Sequence, residues 1–107
     1  MEWSGTTIDT YVTVFDIDVT GVFIFTIYNS GGSNSIKYDI YVTSMWGDVQ
    51  DYLDNVLTAN THISYEQDFW NSTGIPTEAP PFTHLKVEVK SASAGFASTY
   101  EIKGAFS

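Results

Sequence analysis

The run from Val22 to Trp46 constrains the fold more than any other part of this sequence. Val22 to Tyr28 (VFIFTIY) is an almost unbroken series of β-branched and aromatic side chains, the composition of a strand inside a sheet. Asn29 to Ser35 (NSGGSNS) then interrupts it with small polar residues. Gly31 and Gly32 can take positive φ without a Cβ clash, and Asn and Ser side chains bond to nearby backbone, so the chain can reverse here. Beyond the break, Ile36, Tyr38, Ile40 and Val42 alternate with Lys37, Asp39, Tyr41 and Thr43, the period of two expected for a strand with one buried face. The two arms predict one long β-hairpin and an all-β fold.

The same alternation recurs on both sides of this run. Phe15, Ile17 and Val19 oppose Asp16, Asp18 and Thr20, and Leu85, Val87 and Val89 oppose Lys86, Glu88 and Lys90. Tyr100, Ile102 and Phe106 share a face of a last strand, and Ile63 and Tyr65 mark a short one. One segment changes period. In DVQDYLDNVLTAN, Val49, Tyr52, Leu53, Val56 and Leu57 fall at helical spacing, with Asp48 as N-cap and Asp51 in the first turn, which predicts one short helix over about residues 48–58. Residues 1–9 read as an arm or weak edge strand anchored by Trp3. Residues 71–83 hold Pro76, Pro80 and Pro81, which cannot donate to a ladder, and read as an exposed loop. The whole is a single domain, residues 1–107, built as an antiparallel β-sandwich of about six or seven strands.

Charge narrows the functions. Thirteen acidic residues face four lysines and no arginine, a formal net charge of −9. Such a surface repels phosphate, so nucleic acid and anionic membranes are excluded as partners. There is no cysteine, hence no disulfide framework and no thiol chemistry. The first residues carry neither a basic nor an apolar leader segment, and no apolar run approaches the roughly 20 residues needed to span a bilayer, so neither a signal peptide nor a transmembrane segment is expected.

No catalytic signature is present: HExxH, GxSxG and glycine-rich phosphate loops are all missing, and paired carboxylates alone do not make a glycosidase. Asp16 and Asp18, with Asp9 near in sequence, can offer oxygen ligands to calcium but match no EF-hand loop, and the simpler reading is a solvated strand face. Asp48, Asp51 and Asp54 read as the polar side of the helix. His62 and His84 have no acidic neighbour at ligand spacing. Asn71-Ser72-Thr73 fits a glycosylation acceptor by chance in a chain without a leader. No metal or cofactor is called for. The candidate contact residues are Trp3 on the arm and Trp70, Ile75 and Phe82 around the Pro-rich loop, which either pin that loop to the core or present an interface. Tyr41, Met45 and Trp46 are further aromatic or bulky residues near strand ends.

The segments YVTVFDIDVTG, FIFTIYNSGGSNSIKYDIYVTS and LKVEVKSASAGFASTYEIKG resemble small Ig-like sandwiches in which a strand ending in Asn-Ser/Thr-Gly precedes an IKY-I strand. Asn29, Gly31, Tyr38 and the Val87 to Ser91 strand carry the likeness. It is similar to compact accessory domains of phage and archaeal-virus virions, head-decoration proteins among them. The resemblance implies an Ig-like sandwich and a noncatalytic structural protein of the virion that docks on an oligomeric lattice, either of itself or of capsid type. The alternative is a carbohydrate- or calcium-binding module that stacks sugars on exposed Trp and Tyr. No functional residue of the family carries over, because the likeness is architectural.

Overall fold

A computed structural model of the chain describes residues 1–19, 23–44, 47–66 and 82–106. They form eight strands: β1 (Glu2–Thr6), β2 (Val12–Asp18), β3 (Phe23–Asn29), β4 (Ile36–Thr43), β5 (Val49–Leu57), β6 (His62–Glu66), β7 (His84–Ser91) and β8 (Thr99–Phe106). Two antiparallel four-stranded sheets result, in the orders β1-β8-β3-β6 and β2-β7-β4-β5. Among consecutive strands, only β4 and β5 are neighbours within a sheet; every other step crosses from one sheet to the other. That is the strand order of an eight-stranded jelly roll, in place of the Ig-like sandwich of six or seven strands.

The predicted hairpin is therefore corrected to an arch. β3 pairs with β6 and β8, while β4 pairs with β5 and β7 in the opposite sheet. Both arms bury one face, and placing them in facing sheets sets Phe23, Phe25 and Ile27 across the core from Ile36, Tyr38, Ile40 and Val42. Asn29 decides between the two arrangements. Its side chain is 0 % exposed. Nδ2 donates to the carbonyls of Asn34 (2.8 Å) and Leu57 (3.0 Å), and Oδ1 accepts from the Gly31 N–H (3.2 Å) and the Ser98 hydroxyl (2.7 Å). All the hydrogen-bonding capacity of the amide is used. The remaining polar groups of NSGGSNS reach outward as well, Ser30 N to Thr99 O, Asn34 Nδ2 to Ala97 O, and Ser35 O from Ala92 N. These three bonds reach distant segments, while Asn29 also ties Gly31 and Asn34 within the turn. Gly31 is required by contact, since a Cβ there would overlap the Ser98 hydroxyl; among the described residues the positive-φ glycines are Gly47 and Gly95 instead.

The predicted helix over residues 48–58 is also corrected, to strand β5. Its ladder with β4 slips between Tyr38 and Ile40, so that Leu53 and Asp54 together oppose Asp39. This is a β-bulge. Asp54 takes φ 55°, and its N–H donates to Asp39 Oδ1 at 2.7 Å. Gln50 and Tyr52 face the core side before the bulge, Asn55 and Leu57 after it. One inward interval of three residues set between intervals of two imitates a helical period. Asp48 is no N-cap either, as its N–H bonds to Ser44 Oγ in the turn from β4.

Packing follows the alternation elsewhere. Leu85, Val87 and Val89 of β7 and Ile102 of β8 are buried with the β3 and β4 residues in one core. An aromatic cluster fills one end: Phe15 stacks on Trp3 with centroids 4.3 Å apart and meets Phe25 and Phe106 edge-on. The buried Tyr38 and Tyr65 hydroxyls bond to one another across the two sheets, and burial raises both phenol pKa values.

Asn29→Ala leaves the buried Leu57 carbonyl, the part-buried Asn34 carbonyl and the buried Ser98 hydroxyl without their partner, so urea unfolding should show a loss of about 3 kcal/mol. Asn29→Asp should also destabilise, because a carboxylate has no N–H for the Asn34 and Leu57 carbonyls. Changes under about 0.5 kcal/mol in both variants would show that the arch does not depend on this amide.

Candidate interaction surface

Among the described residues, β5 closes one side of the β2-β7-β4-β5 sheet and pairs only with β4. Over its nine residues, one backbone edge has no ladder partner among the described residues. That length is notable, because folded proteins normally keep edge strands short or cover them. Val49, Leu53 and Val56, which a helix would have buried, are instead 61 %, 46 % and 56 % exposed. They lie on the outward side of the strand with Asp51 between the first two and Asp54 beside Leu53. The result is an apolar row on an open edge, interrupted by carboxylates. A signal for it was present in the sequence: a Gly47-Asp48 pair between two runs of β-forming residues marks a hairpin turn.

The sequence-predicted contact residues land elsewhere. Trp3 is on β1, which pairs with β8 in register Trp3↔Ile102, and its ring is half-buried against Phe15 and Phe106. Phe82 is 1 % exposed with its ring centroid 6.3 Å from that of Phe23, so it belongs to the core and presents no surface. Trp70 and Ile75 lie outside the described residues, as do Met45, Trp46 and the Asn71-Ser72-Thr73 site. Tyr41 faces outward beneath Lys86, whose ammonium sits 4.4 Å from the ring centroid. Its pKa is pushed up to about 12 by burial and by the carboxylates of Asp39 and Glu88.

A second cluster joins residues that the sequence holds far apart. The β2–β7 ladder sets Asp18 opposite His84, and Asp16 opposite Lys86. His84 Nδ1 lies 2.8 Å from Asp18 Oδ1, and Nε2 bonds to Asp16 Oδ1. Hydrogen bonds to Asp16 and then Asp18 raise the imidazole pKa against a smaller opposing effect of burial. Both ring nitrogens are taken by carboxylates, which leaves neither to activate a hydroxyl. The same contacts occupy the two aspartates that the sequence offered to calcium. Among the described residues no group of three or more His, Cys, Asp and Glu side chains is arranged to hold a metal ion. Asp9 fixes a turn, its Oδ1 accepting from Gly95 N–H at 2.9 Å. His62 sits outward on β6 against Tyr28, on the opposite sheet, beside a shallow depression of about 390 Å³ shared with Thr26, Glu101 and Lys103.

Neither a protein-family model nor a curated relative matches the chain. Solved structures from infectious bursal disease virus are similar in outline. The Gt strain structure matches over 97 % of this chain at 16 % identity and a TM-score of 0.46, and the VP2 subviral particle over 96 % at 19 % and 0.45. The chain spans 29 % and 28 % of the length of those two proteins. At this level the likeness supports no conclusion about function.

The His84 contacts set a pH dependence. The folded imidazole holds its proton more tightly than the unfolded one, so the stabilisation is fully present below the unfolded value near 6.5 and is lost as pH rises through the folded pKa. The melting-temperature gap between the wild-type chain and His84→Gln should therefore be widest in mildly acidic buffer and narrow as pH rises above 6.5. A gap that is constant or grows with pH would contradict the ion-pair geometry.

Proposed function

We propose that this chain is a noncatalytic structural protein that docks on an oligomeric assembly of virion type, as a capsid-decoration or accessory protein. The observation that carries the reading is the β5 edge, which has no ladder partner among the described residues, with its exposed Val49, Leu53 and Val56. Unpaired strand backbone and a flanking apolar row together are what strand addition uses: main-chain hydrogen bonds give affinity and alternate side chains give register. Two further points support it. Jelly rolls recur in viral capsid domains as well as in lectins, which is support by analogy of fold. The sequence resemblance to virion accessory domains points the same way. Binding through β5 moves the docking residues from Trp3 and the Pro-rich loop to the far edge of the opposite sheet, while Trp70 and Ile75 remain candidates for additional contact.

Sedimentation of particles from cells that make the chain with its native neighbours tests this. The wild-type chain should travel with the particles at fixed stoichiometry. Leu53→Asp, at an exposed position that the core does not use, should remain folded and fall at least about tenfold in the particle fraction. Absence of the wild-type chain from particles would overturn the reading.

A further inference from the structure

We infer that the β5 edge takes an extended segment of a basic partner chain, whose side chains on the outward face alternate between apolar and lysine or arginine. The inference rests on the docking reading and adds the chemistry of the occupant. Along the outward side of β5 the order is Val49, Asp51, Leu53, the bulged Asp54, then Val56. Opposed side chains on neighbouring strands stabilise a sheet when apolar meets apolar and charge meets opposite charge. An added strand therefore matches this edge when apolar groups face Val49, Leu53 and Val56 and cations face the two aspartates.

The cations of the chain itself are directed elsewhere. Lys86 lies over Tyr41, Lys90 lies over Tyr11 at 5.1 Å, and Lys103 pairs with Glu2 on the other sheet at 3.7 Å. Lys37 stands opposite Val56, at the far end from Asp51. Asp54 accepts a hydrogen bond from the neutral Tyr11 hydroxyl at 2.8 Å, and neither Asp51 nor Asp54 has an ion-pair partner among the described residues. Both carboxylates are exposed and uncompensated at the free edge.

The same charges argue against a second copy as the occupant. Antiparallel self-pairing that sets Val49 against Val56 also sets Asp51 against Asp54 in both halves of the two-fold contact. Each copy additionally carries a net charge of −9, so approach is repulsive before any contact forms. A basic segment meets attraction over the whole approach and cross-strand ion pairs on arrival.

Amide chemical shifts of the isotope-labelled full chain, titrated with an acetylated peptide of about ten residues that repeats Val-Thr-Lys-Thr, so that valine and lysine alternate along one face, provide the test, with the Val-Thr-Glu-Thr peptide as control. The lysine peptide should shift the amides of residues 49–57 and leave β1 unmoved. Its affinity should drop about tenfold between low and physiological salt, by a similar factor in Asp51→Asn, and further in Asp51→Lys. Equal binding of both peptides at β5 would overturn the charge assignment while leaving the docking reading standing. Shifts confined to other strands, or no binding of either peptide, would overturn the occupant and remove the edge as a docking site. A β5-mediated dimer of the wild-type chain in light scattering would replace the basic partner with a second copy.

Discussion

One buried amide decides how this chain is connected. Asn29 ends β3 at a point where the strand could continue into a hairpin, and its side chain instead ties together residues 31, 34, 57 and 98. Those partners lie in the turn after β3, at the end of β5 and before β8. The network continues through Ser98, whose N–H donates to Thr7 Oγ1 at 2.9 Å, and Thr7 and Ser91 share a hydroxyl hydrogen bond at 2.9 Å. Thr7, Asn29, Ser91 and Ser98 are all buried. A buried polar chain of this kind, fully satisfied, stabilises one connectivity over its competitors, because any other leaves the same groups unpaired in a low-dielectric interior.

From that connectivity the surface follows. With β3 committed to one sheet, β4 begins the other and is flanked by β7 and β5. Among the described residues β5 is then left at the margin of its sheet, since β6 returns to the first sheet beside β3. The bulge at Asp54 and the carboxylates of Asp51 and Asp54 are devices that keep an edge from pairing indiscriminately. They repel acidic and identical strands while Val49, Leu53 and Val56 remain available. The open edge is thus selective by charge.

Sequence alone showed the strands whose side-chain period is undisturbed. The apolar alternations in β4, β7 and β8 correspond to their buried faces, with Asp39 of β4 buried against expectation, and the inward set of β2 is as read. Two things were hidden by physics that acts at a distance. A hairpin and an arch have the same local composition, and what separates them here is the reach of Asn29 to Leu57 and Ser98, far away in the chain. In β5 a single bulged residue changes the period, and Val49, Leu53 and Val56 at helical spacing look buried when they are outside. The His84 cluster was illegible for a third reason. Its carboxylates are 66 and 68 positions away in sequence, and only the β2–β7 register brings them to the ring. Phe82, open in the sequence between core packing and contact, belongs to the core just ahead of β7, where Thr83 N–H donates to Thr43 O at 2.8 Å.

Docking through β5 requires a strand with one open edge, and amide hydrogen exchange followed residue by residue measures that directly. Alternate amides of Val49–Leu57 should exchange at nearly the unprotected rate, while those of Ile36–Thr43, bonded on both sides, exchange far more slowly. A continuous run of protected amides through Val49–Leu57, as a helix or a covered edge would give, would contradict the account.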